Sequence, residues 1–86
     1  MINQELLNIL RCPETGQEVR YVEGGIIERI NAAIRDGSLK NRGQQIVQDP
    51  IEAGLLRSDR QYLYPVRDGI PVMLIDEALP FAPFAG

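Results

Sequence analysis

Few side chains in these 86 residues could carry covalent or acid–base chemistry: one thiol, Cys12, two serine hydroxyls, Ser38 and Ser58, and no histidine. A thiol or hydroxyl becomes a nucleophile only beside a base, and without an imidazole the nucleophile–base–orienter arrangement cannot be assembled. General acid–base catalysis by carboxylates needs a pair set across a cleft. The only adjacent acidic pair, Asp76-Glu77, reads as a solvated strand end. Gly24-Gly25 lacks the Lys, the Ser/Thr and the spacing of a nucleotide loop, and a structural zinc site needs about four Cys or His ligands. These residues therefore predict a non-enzyme that carries no cofactor and no metal, with Cys12 a small buried side chain in preference to a reactive thiol.

The elements that must position these groups fit one small domain over residues 1–86. With 44% apolar and 24% charged residues the composition is that of a globular chain. The absence of a long apolar run, the non-basic start Met-Ile-Asn-Gln-Glu and the single cysteine predict a cytoplasmic protein. The net charge of −3 disfavours general nucleic-acid binding, but Arg29, Arg35, Lys40 and Arg42 face only Asp36 over residues 29–42. A solvated helix face and loop is the plainer reading of that basic stretch. An RNA phosphate-contacting patch is the sharper one.

Asn3 can cap a short helix over residues 4–10, which must stop at Cys12-Pro13. A strand is expected over Glu18–Val22, with Val19 and Tyr21 on one face. A helix follows from Ile26 to Arg35, with a stripe of Ile26, Ile27, Ile30, Ala33 and Ile34 and with Gly37 as its stop. Asn41-Arg42-Gly43 suits a small hairpin loop, Gly54–Arg57 a strand, and residues 78–86 a Pro-rich tail outside the regular elements.

The clearest local signal is Tyr62 to Ile75, where two β-prone runs flank Asp68-Gly69, a dipeptide suited to a two-residue turn. That loop pairs Arg67 with Ile70, Val66 with Pro71, Pro65 with Val72, Tyr64 with Met73 and Leu63 with Leu74. Pro71 cannot donate, so the second strand is expected to sit at a sheet edge. Pro71, Val72, Met73, Leu74 and Ile75 then form an apolar edge open either to a partner or to another strand of this chain, such as Val19–Val22.

Leu6-Leu7-Asn8-Ile9-Leu10-Arg11-Cys12-Pro13, a glycine soon after, and far downstream Tyr64-Pro65-Val66-Arg67-Asp68-Gly69-Ile70-Pro71-Val72-Met73-Leu74 with Asp76-Glu77-Ala78 resemble the methyltransferase-activator small-protein family (Trm-one-twelve-like; YcaR-like in bacteria). The resemblance covers about the first twenty residues and the twenty-five before the tail. It implies that residues 24–60 are a helix-and-hairpin insertion whose replacement by a linker would leave a folded domain. Zinc-binding members carry Cys-Pro-x-Cys near the start and a second cysteine pair before the Tyr-Pro strand. Here Thr15 stands at the second position and no cysteine precedes Tyr62, so the resemblance implies a metal-free zinc-ribbon-like scaffold whose packing replaces the metal.

The expected fold is α+β, a small antiparallel sheet of the Val19, Leu55, Tyr62 and Val72 strands with two helices. The expected function, by resemblance, is a non-catalytic partner that binds and stabilises a class I S-adenosylmethionine-dependent methyltransferase of the translation machinery. A small RNA-contacting module, or a self-associating homodimer, is the alternative.

Overall fold

The computed structural model describes residues 10–84, so the helix expected over residues 4–10 lies outside them but for Leu10. In chain order the elements are β1 (Val19–Val22), α1 (Gly25–Arg35), β2 (Ala53–Arg57), β3 (Tyr62–Arg67), β4 (Ile70–Pro71), a 3-10 turn (Ile75–Glu77), β5 (Leu79–Pro80) and a second 3-10 turn (Ala82–Phe84). The fold is α+β, with a single α-helix among the described residues. All strand pairs are antiparallel, in the order β1-β2-β3-β4, with β5 also paired to β3.

Every residue of β2 is buried, which tells that the sheet is covered on both faces. Successive side chains of a strand point to opposite sides, and the packing follows that alternation. Leu56 and Leu63 join Ile27, Ile30, Ile34, Leu79, Phe81 and Phe84 on the α1 side. Ala53, Leu55, Tyr64 and Val66 join Cys12 and Ala78 on the other. Gly54 is the close-approach point between strands. A Cβ there would lie 2.4 Å from Leu63 Cδ2, so the missing side chain is what lets Leu63 lie flat over β2.

The α1 stripe is as the spacing requires, with Ile27, Ile30 and Ile34 buried and Ile26 and Ala33 packed partly against them. The helix stops at Gly37, whose φ is +71°. Gly37 N–H donates to Ile34 O at 3.1 Å and Ser38 N–H to Ala33 O at 3.2 Å, the paired bonds that satisfy otherwise orphaned carbonyls at a helix C-terminus. A clamp ties the helix to the segment just before β2: Asn31 Nδ2 donates to Ile51 O at 2.8 Å, and Ile51 N–H donates to Asn31 Oδ1 at 2.9 Å.

Asp68 (φ +53°) and Gly69 (φ +74°) form the expected turn, and Arg67 pairs with Ile70 and Val66 with Pro71. Val72 N–H still donates to Pro65 O at 2.8 Å, but there the ladder stops. Leu63 pairs with Leu79 and Tyr62 with Pro80, in place of the expected Leu63–Leu74 and Tyr64–Met73 pairs. The run Val72–Ile75 is therefore not an edge strand. Gly43 and Arg42 N–H groups take the carbonyls of Asp76 and Ala78, each at 2.9 Å, and Ala78 is fully buried. Those contacts draw the segment out of the sheet before β5 returns to it.

One further expectation needs correction. The Pro-rich stretch after residue 78 is not a tail outside the fold, because Leu79, Phe81 and Phe84 are part of the α1-side core. The segment 24–60 is likewise not peripheral to the sheet and the core. It contributes β2, between β1 and β3, and the isoleucines of the main core.

Candidate functional site

Residues 11–18 double back as a knuckle that leads into the start of β1. Arg11 bridges Glu18, Cys12 N–H donates to Gln17 O at 2.8 Å, and Gly16, at φ +75°, donates to Cys12 O at 2.8 Å. The turn brings Cys12, only 2% exposed, onto β3, with its sulfur 3.0 Å from the Tyr64 hydroxyl. Burial pushes the thiol up, but hydrogen bonds with Thr15, Tyr64 and the backbone of residues 14 and 15 outweigh it and bring its pKa down to about 7. Tyr64 is pushed the other way, first by burial and then by its bond to Cys12. Among the described residues no three His, Cys, Asp or Glu side chains are grouped so as to hold a metal.

Beside the thiol lies a chain of charges that sequence reasoning did not single out. Arg57, 7% exposed, donates to Glu14 Oε1 at 3.0 Å and through Nε to Asp59 Oδ1 at 3.1 Å. Its Nη2 also reaches Asp59 Oδ2, and Arg42 pairs with the same Glu14. Both guanidinium groups lie over the Tyr62 ring, at 4.7 Å for Arg42 and 5.3 Å for Arg57. Arg57 holds the Asp59 carboxyl well below the usual range, and Arg42, with Arg57, lowers that of Glu14. A buried arginine implies carboxylates nearby, but Arg57 and Glu14 are too far apart in the chain for their pairing to be read from the sequence.

The four basic residues of the middle segment are not brought to one place. Arg42 belongs to this ion-pair chain, and Arg29 donates to Phe84 O at 3.3 Å on the far side of α1. Arg35 and Lys40 are exposed at the helix end and in the following loop.

The expected partner surface divides as well. Met73 packs partly into the Cys12 core, and Pro71 and Val72 are half-buried. Ile70, Leu74 and Ile75 are open, at 65%, 62% and 38% exposure. Three large apolar side chains within six residues of chain thus face solvent around the end of β4.

No family model matches the chain. A UPF0434 protein of Anaplasma phagocytophilum (strain HZ) is 31% identical to it over 83 residues, covering 96% of this chain and 79% of the relative. The chain belongs to the UPF0434 family. The solution NMR structure of XF2673 from Xylella fastidiosa superposes with a TM-score of 0.73 at 28% identity, over 98% of this chain and 87% of that one. The backbone fold described above is therefore close to that of a solved structure along nearly its whole length. Among the described residues no helix is long and apolar enough to cross a membrane.

Proposed function

We propose that this protein is a non-catalytic, cytoplasmic binding partner that docks on and stabilises a class I S-adenosylmethionine-dependent methyltransferase of the translation machinery. The observation that carries the docking role is the exposure of Ile70, Leu74 and Ile75 beside a two-residue edge strand. Such side chains are normally scattered, and a group of them on a small fold fits a surface that a protein partner covers. The methyltransferase as partner rests on the resemblance of the two chain ends to the activator family. The scaffold is read as zinc-ribbon-like: the knuckle of residues 11–18 lies over the sheet, and the contacts of Cys12 and Arg57 take the place of a metal.

Two substitutions test the reading. Ile70→Asp with Leu74→Asp should leave the melting temperature of the free protein within a few degrees, since both side chains are more than half exposed. The same change should abolish co-purification of a methyltransferase in stoichiometric yield from the protein's own cells, because a charge in a desolvated apolar contact costs several kcal/mol. Met73→Asp, by contrast, should unfold the free chain, as Met73 packs into the Cys12 core. Purification without a methyltransferase, or undiminished capture by the Ile70/Leu74 variant, would overturn the proposal.

A further inference from the structure

On the α1 side of the sheet an open cleft of about 510 Å³ runs between β1, the first turns of α1 and the C-terminal 3-10 turn. Arg20, Arg29 and Arg60 line it, over a floor formed by the buried Leu56, Phe81 and Phe84. The fold gathers these arginines from three separate elements. Arg20 sits opposite Leu56 in the β1–β2 ladder. Arg29 lies one turn into α1, held by its bond to Phe84 O. Arg60 follows β2 in a left-handed conformation, φ +60°, with its guanidinium 5.7 Å from the centre of the Phe81 ring.

Three like charges around one hollow repel one another, and they do so in a chain whose net charge is −3. The knuckle face handles its arginines differently, for Arg42 and Arg57 each have a carboxylate in the same chain. Among the described residues, Arg20, Arg29 and Arg60 have no ion-pair partner. The single carboxylate lining the cleft is Glu23, whose charge, after burial, helps push the Tyr21 hydroxyl's pKa up. The hollow therefore carries a local excess of two positive charges on planar, multi-donor groups, the donor type that matches phosphate oxygens.

We propose that this cleft binds a phosphate group, carried either by a small phosphorylated ligand or by an RNA chain. The volume exceeds what phosphate alone would fill, so the apolar floor receives part of the moiety to which the phosphate is attached. This assignment is independent of the docking surface at Ile70 and Leu74, and it replaces the contiguous basic segment as the place where an anion would be held. Arg29 stays, Arg42 leaves, and Arg20 and Arg60 enter.

The test is an amide chemical-shift titration of the whole chain with three probes: inorganic phosphate, adenosine 5′-monophosphate, and a short single-stranded RNA bearing a 5′-hydroxyl. Saturable shifts are expected at residues 20–26, Arg60, Phe81 and Phe84, with at least one of the probes. Saturation by phosphate or the mononucleotide assigns the small-ligand source, and saturation by RNA alone assigns the polynucleotide backbone. The double variant R20Q/R60Q should weaken that binding about tenfold or more with the spectrum's dispersion intact, whereas R35Q/K40Q should leave it unchanged. If the double variant loses dispersion, R20Q alone carries the same test, with a smaller but measurable weakening. Absence of saturation with all three probes, undiminished binding by the cleft variant, or equal weakening by R35Q/K40Q would overturn the proposal.

Discussion

On the α1 side of the sheet, eleven buried residues from the helix, the 39–51 loop, three strands and the C-terminal turn make one aliphatic and aromatic cluster. On the knuckle side, six buried residues include the two of a thiol–phenol contact, and an arginine is bonded to two carboxylates at the margin of the cluster. The first face is held by area removed from water, which is indifferent to direction and to pH. The second is held in part by bonds that require particular atoms in particular ionisation states. A chain this short buries only about 60–65% of its unfolded surface, so neither face can lose much of its packing without cost. The difference teaches that buried apolar side chains are concentrated on the helix face, while the knuckle face fixes how residues 10–18 sit.

The most severe way to break the comparison is to replace Gly25 to Arg57 with a short Gly/Ser linker. That change removes α1 and β2 together, and the remnant is expected to show the narrow chemical-shift dispersion of an unfolded chain. A dispersed spectrum would mean that the knuckle face can fold alone. Next in size, Ile30→Ala should cost about 2–5 kcal/mol in denaturant unfolding, as for other large-to-small changes in a packed core. Ile30 is 1% exposed, and a loss below ~1 kcal/mol would place the core elsewhere.

The ionic part of the knuckle face gives an effect set by pH. Folding lowers the carboxyl pKa of Asp59 and Glu14, so the folded state binds fewer protons than the unfolded chain near their ordinary values. The resulting stabilisation is complete above the unfolded pKa values near ~4 and is lost as pH falls through the lowered ones. Arg57→Met should therefore flatten the decline of the melting temperature below about pH 4 relative to the parent protein. An unchanged acid limb would show that these ion pairs do not contribute.

The smallest effect is expected at Tyr64→Phe, which removes one hydrogen bond worth about 0.5–1.5 kcal/mol. Its signature is spectroscopic: the thiolate absorbance of Cys12 should titrate near 7 in the parent and higher in the variant. Because the folded thiol ionises more readily than a free one, its contribution to stability should rise as pH passes from about 7 towards the ordinary thiol range. A thiol titrating equally in both proteins would remove the Tyr64 contact from the account.

What could be read from the sequence was local. Asp68-Gly69 specified its turn and the first two residue pairs, and the isoleucine spacing with Gly37 specified α1 and its stop. Val72–Ile75 misled because an apolar run after a turn has the signature of a strand. The carbonyls of residues 76 and 78 that pull it aside are taken by Arg42 and Gly43, more than thirty positions away. The prolines at 80 and 83 gave a correct local message, that no long element follows, but carried no sign that Phe81 and Phe84 are core. The arginine cleft was illegible for a similar reason. Arg20 and Arg60 become neighbours only once the β1–β2 ladder and the turn after it have formed.

The Asn31 carboxamide gives the peptide of Ile51 both a donor and an acceptor, as a neighbouring strand would, although Ile51 lies outside every strand. The amide hydrogen of Ile51 should therefore be shielded from deuterium by a helix side chain alone. Its exchange rate is then a clock for one event, the lifting of α1 from the sheet, distinct from fraying of the ladders and from global unfolding.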